Sequence, residues 1–105
     1  MEIKKYYSSQ GKYLQEHKNY FSEEQLQKDV NFLIDVLSLK KQDKILDLAC
    51  GHGRHTIELK KRGFDIAGLD FSKYLLEVAE EKAKQEGLRI TFYNQNIHSI
   101  HLKAK

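Results

Sequence analysis

The residues best suited by type and spacing to do chemistry form one short run, Asp47-Leu48-Ala49-Cys50-Gly51-His52-Gly53-Arg54, followed 17 residues after Gly53 by Asp70. Gly51 and Gly53 let the backbone turn tightly and approach a ligand without a Cβ in the way, and the free amides of a helix beginning there would point into the same crevice. A carboxylate such as Asp70, at the end of a second strand, can accept hydrogen bonds from both hydroxyls of a ribose. Gly51 to Thr56 reads Gly-x-Gly-x-x-Thr, so the third glycine of the dinucleotide fingerprint is missing. Asp47, facing the same pocket, adds a negative charge that would repel a diphosphate. It suits a nucleoside that carries a cationic amine and a sulfonium.

Those residues need strands and helices to position them, and the sequence supplies both in alternation. Ser22 and Gln25 have capping-box spacing, and Leu26, Val30, Leu33 and Leu37 behind them make one apolar helix stripe, read as core. Residues 44–49 are a short apolar run, hence a buried strand ending at the glycine turn. A helix over 54–62 follows, with cations in its last turn and Gly63 in the C′ position. A second strand over 65–70 meets Ser72, an N-cap for a helix through Gln85 that Gly87 ends. Residues 89–95 are β-branched and aromatic, a third strand. Strands alternating with helices imply right-handed crossovers. The fold class is α/β, a parallel sheet of three strands with flanking helices. Residues 1–21, polar and rich in tyrosine (Tyr6, Tyr7, Tyr13, Tyr20), are expected to form an N-terminal arm, mobile or a short helix.

Composition excludes several function classes. With 105 residues there is room for one domain at most; 40% hydrophobic and 31% charged residues are the mark of a folded, soluble chain. The net charge of +3 forms no basic stripe, so neither nucleic acid nor a membrane is expected as a partner. A single cysteine, Cys50, makes no disulfide and builds no zinc pattern, and there is no apolar leader or span, so the expected location is cytoplasmic.

At these residues the chain resembles the class I S-adenosylmethionine-dependent methyltransferases, whose motif reads acid-x-Gly-x-Gly-x-Gly after the first strand. Here the positions are Asp47, Ala49, Gly51 and Gly53, with the stretch from Lys44 to Thr56 followed by Gly68-Leu69-Asp70-Phe71-Ser72. The resemblance runs from about Ser22 to Ile97 and implies S-adenosylmethionine as cofactor. It places the methionine end against Asp47 and the turn from Ala49 through Cys50 and Gly51 to Gly53. Asp70 takes the ribose, Phe71 packs on adenine, and Asn96 with Ile97 meets the adenine edge. Ala49 departs from the pattern, which implies a weakened but not abolished backbone fit. The tyrosines of the N-terminal arm are implied to cover the cofactor.

The family's sheet has seven strands, ordered 3-2-1-4-5-7-6, of which this chain supplies the first three, so the resemblance implies a partial Rossmann-like parallel sheet of three strands in the order 3-2-1 with flanking helices. Residues 22–105 would then be the cofactor-binding half of a methyltransferase domain, acting on a small molecule. The acceptor half is expected beyond Lys105, so no catalytic residue is assigned and the chain by itself is not expected to transfer a methyl group. Truncation after the third strand would leave strand 44–49 as a bare edge, inviting self-association. The alternative function is therefore a non-catalytic nucleoside-binding or edge-strand assembly module, and a nucleotide-dependent oxidoreductase is disfavoured by Thr56 and Asp47. Cys50 reads as a small buried residue rather than a nucleophile. His52, His55, His98 and His101 read as solvent-facing or capping residues, not as metal ligands.

Overall fold

Ser22 opens the first helix with its hydroxyl accepting from the Gln25 amide at 3.0 Å, and Ser72 opens the third in the same way on Leu75 at 3.2 Å. Both caps satisfy an amide that the first helical turn leaves without a partner. In the computed structural model, which describes residues 3–7 and 22–96, these helices are α1 (Glu23–Val36) and α3 (Lys73–Gln85). Between them α2 (Arg54–Lys61) starts directly from the glycine turn. The strands are β1 (Ile3–Tyr7), β2 (Lys44–Leu48), β3 (Asp65–Asp70) and β4 (Phe92–Asn94), all parallel and ordered β1-β2-β3-β4 across the sheet.

Because β2, β3 and β4 step in one direction with right-handed crossovers, α2 and α3 lie on the same face. Alternation along the strands then divides the apolar residues between two clusters. Ile45 and Ile66 pack under α1 and α2 with Leu26, Val30, Leu39, Leu59 and Phe64, while Leu33 and Leu37 close the margin. The stripe read as core is core. Leu46, Leu48 and Leu69 point to the other face, with Ala67 and Tyr93 against them.

Two expectations need correction. Among the described residues the sheet has four strands, because residues 3–7 of the presumed arm pair with β2 in the register Ile3 to Lys44 through Tyr7 to Leu48. Consequently β2 is not a bare edge: it is paired on both sides, and the premise for self-association through it is gone. Nothing periodic marks Ile3-Lys4-Lys5-Tyr6-Tyr7 as a strand; its partner lies about forty residues away, and tertiary contacts hold it there. Lys4 Nζ donates to the carbonyls of Leu37 and Ser38, both at 3.2 Å, and meets Asp43 Oδ2 at 3.1 Å. It thereby caps the end of α1 as well as fastening β1. Lysines on a short outer strand also discourage pairing with a further chain. The remainder of the arm, residues 8–21 with Tyr13 and Tyr20, lies outside the described residues. At the opposite side the third predicted strand is shorter than expected, Phe92–Asn94, since only Gly68, Leu69 and Asp70 of β3 offer it partners.

Candidate cofactor-binding site

The parallel sheet brings the carboxyl ends of β2, β3 and β4 to one side, where open α/β sheets bind ligands. Asp47 sits near the end of β2 with no exposed surface, and its Oδ2 accepts from Thr56 Oγ1 at 2.6 Å. Thr56, equally buried, stands in the first turn of α2. The residue that occupies the third-glycine position is therefore the hydroxyl that orients the buried acid. Sequence reasoning counted Thr56 only as a missing glycine; a hydroxyl one helical turn beyond an acid-glycine run was the available signal.

After Leu48 the chain turns through three left-handed residues, Ala49 (φ +57°), Gly51 (φ +59°) and Gly53 (φ +85°). For Ala49 this conformation carries a strain of about 1–2 kcal/mol, which a glycine would escape. A Cβ at Gly53 would also stand 2.9 Å from Ala79 Cβ on α3, so the missing side chain lets α3 close against the turn. The turn is tied down by Cys50 N–H on Leu69 O at 2.9 Å and by Gly51 N–H on Asp70 Oδ2 at 2.9 Å. Arg54 Nη2 donates to Ser22 O at 3.2 Å, bringing the start of α1 to the same place.

Asp70, 4% exposed, thus latches the turn to β3, while its other oxygen accepts from the Ser72 amide at 2.8 Å. Two amides use two of the roughly four lone-pair directions of a carboxylate and leave the others for further donors. Beside it Phe71 is 74% exposed, a large ring left in solvent. The structure brings Asp47, Ala49, Cys50, Gly51, Gly53, Asp70 and Phe71 to this one end. Asn96 is exposed just beyond β4, and Ile97 lies outside the described residues. Asn94, which sequence reasoning passed over, reaches back to the Asp70–Phe71 backbone.

The remaining candidates are inert at neutral pH. Cys50 is fully buried with its Sγ against Gly68, where a Cβ would stand 2.8 Å away. Burial, then the charges of Asp47 and Asp70, push its thiol far above the usual thiol range, so it is no thiolate nucleophile. Burial, followed by the charges of Lys82, Arg54 and His55, lowers His52 to about 4. Burial likewise lowers His55, against the opposing pull of Asp29, whose Oδ2 lies 3.7 Å from Nε2. Both rings are neutral at pH 7. Among the described residues no group of three His, Cys, Asp or Glu side chains could hold a metal ion, and His98 and His101 lie outside them. No described helix is long and apolar enough to cross a membrane.

This acceptor set, two buried carboxylates around a backbone turn with an exposed ring beside them, fits a positively charged nucleoside. Comparison with known proteins agrees. Residues 45–105 match the family described as a methyltransferase domain. A carboxy-S-adenosyl-L-methionine synthase of Nautilia profundicola is 38% identical over 72 residues, covering 65% of this chain and 31% of that protein. Among solved structures, the tRNA (uracil-54, C5)-methyltransferase of Pyrococcus abyssi, in complex with S-adenosyl-L-homocysteine, is 28% identical with a TM-score of 0.59, over 73% of this chain and 19% of that one. The magnesium protoporphyrin IX methyltransferase of Synechocystis, with bound S-adenosylmethionine, is 25% identical with a TM-score of 0.61, over 74% and 38%. The chain spans less than a third of the length of the curated relatives it matches. With its glycine turn, its two acids and the strands β3 and β4 inside the matched span, the chain belongs to the S-adenosylmethionine-dependent methyltransferase-domain family.

Proposed function

We propose that this chain is the cofactor-binding portion of a methyltransferase that acts on a small molecule. The observation carrying the reading is the Asp70 carboxylate, buried, latched to Gly51 and Ser72, and flanked by the exposed Phe71 ring. S-adenosylmethionine supplies an electrophilic methyl group on a sulfonium. The chain's own residues do the holding. Asp47, oriented by the hydroxyl of Thr56, faces the cationic end; the turn from Ala49 through Cys50 to Gly53 lies along the methionine portion. Asp70 receives the ribose hydroxyls, Phe71 stacks on the adenine, and Asn96 with Ile97 meets its edge. Holding the sulfonium methyl in line with an acceptor is most of what methyl transfer requires, so binding geometry is the chain's contribution.

A small-molecule acceptor is supported by the charge distribution. The net +3 is spread over the chain, and Lys4, Lys28, Lys44 and Lys61 are each paired with an acid rather than gathered on one face. The relatives' names include both RNA and a porphyrin as substrates, so charge is the discriminating property. Calorimetric titration with S-adenosyl-L-homocysteine should show saturable binding, with none for NAD. Asp70→Asn, which removes the charge and sets an amide donor against one of the two backbone N–H groups the carboxylate accepts from, should weaken that binding about tenfold or more. Equal affinity in the variant would overturn the ribose role of Asp70. Salt-dependent retention of RNA by the chain would overturn the small-molecule reading.

A further inference from the structure

Asn94, the last residue of β4, belongs to no motif and does not line the glycine turn. Its side-chain amide nevertheless donates to two successive backbone carbonyls, Asp70 O at 3.2 Å and Phe71 O at 3.1 Å. The neighbouring Gln95 amide reaches the same Asp70 carbonyl at 3.1 Å. On the other side of this peptide, Asp70 spends its carboxylate on the amides of Gly51 and Ser72. The Asp70–Phe71 segment is therefore gripped from two directions, by β4 through its carbonyls and by the turn and α3 through its carboxylate. Phe71 itself has a fixed backbone and a 74% exposed ring. Solvent holds such a ring in no one place, so its orientation depends on the backbone that carries it.

We propose that Asn94 is a positioning residue for the adenosine half of the cofactor: it locks the Asp70–Phe71 peptide so that the ribose acid and the stacking ring are presented together before ligand arrives. The inference rests on the reading of the site given above. Preorganisation of this kind improves affinity by removing an ordering cost at binding, without a contact between Asn94 and the ligand. The two donors of a neutral amide are what the geometry uses; a carboxylate of the same shape would set acceptors against two carbonyl oxygens.

The test uses the full chain and four proteins, wild type, Asn94→Ala, Asn94→Asp and Asn94→Ser, titrated calorimetrically with S-adenosyl-L-homocysteine and with adenosine well below each thermal midpoint. Asn94→Ala is expected to weaken both ligands by the same factor, roughly three- to tenfold, because two hydrogen bonds that hold the platform are gone. Asn94→Asp is expected to lose more than Asn94→Ala, and Asn94→Ser, which keeps one donor, to lose less. A merely structural role would lower the midpoint but leave affinities below it unchanged, and that result overturns the proposal. So does a loss seen with S-adenosyl-L-homocysteine and absent with adenosine, which would place the effect at the methionine end. Should Asn94→Ala fail to fold, the order of Asn94→Ser and Asn94→Asp carries the same decision. Failure of the wild type to bind either ligand is a separate outcome: it removes the reading of the site, and the role of Asn94 with it.

Discussion

The centre of the sheet and its two margins are held by different physics. At the centre, β2 and β3 meet the glycine turn, and the bonds that matter link buried groups close by in the fold: Thr56 to Asp47, Gly51 and Ser72 to Asp70. At the margins, β1 is held by its pairing with β2 and by one lysine reaching three acceptors, and β4 by three paired residues and one asparagine. Burial is what separates them: a bond between buried groups cannot be replaced by water when it is removed, whereas a half-exposed lysine is readily rehydrated. The centre should therefore respond to substitution with lost stability, the margins with altered order.

Gly53→Ala is the severest way to break that comparison. It combines a left-handed residue with a Cβ 2.9 Å from Ala79 Cβ, and should lower the unfolding free energy by about 2–4 kcal/mol in urea titration. A change within experimental error would mean that α3 is free to move away from the turn. Thr56→Val comes next. It removes the hydroxyl from a fully buried carboxylate while keeping volume, and should lose about 1.5–3 kcal/mol by the same measurement.

Acid tests the centre in another way. His52 has its ring lowered to about 4 in the fold, against an ordinary 6.5, and His55 is lowered too. Between those values the unfolded chain binds protons that the folded chain refuses, so stability present above pH 6.5 is lost as the pH falls toward 4. Thermal midpoints across that window should decline in the wild type and decline less in His52→Gln. Parallel curves would show that the ring titrates normally in the fold. The smallest effect is expected at the margin. Lys4→Ala should leave the midpoint nearly unchanged, yet speed amide hydrogen exchange on the side of β2 that faces β1 while the β2–β3 amides stay protected. Uniform exchange across β2 would show that β1 and the centre open as one unit.

The legible parts of this protein share a cause. The caps at Ser22 and Ser72 and the left-handed glycines 51, 53, 63 and 87 depend on interactions among near neighbours, and the run of residue types records them directly. Given the order β2-β3-β4, right-handed crossovers then place α2 and α3 on one face. Other features depend on partners far along the chain. Lys4 meets residues 37, 38 and 43, and Asn94 meets residues 70 and 71; neither pairing has a period, a motif or a composition that could announce it.

Thr56 falls between these cases: its partner is near in sequence, but the hydroxyl acquires meaning only once β2 and α2 are folded against each other. By itself the sequence determined which residues turn, cap and alternate, because local sterics and hydrogen bonding act wherever the chain goes. Only the tertiary structure decided that a pair of lysines and tyrosines becomes the fourth strand, and that an asparagine on the far edge steadies the ring beside Asp70. Those outcomes require surfaces that exist only after the sheet has assembled.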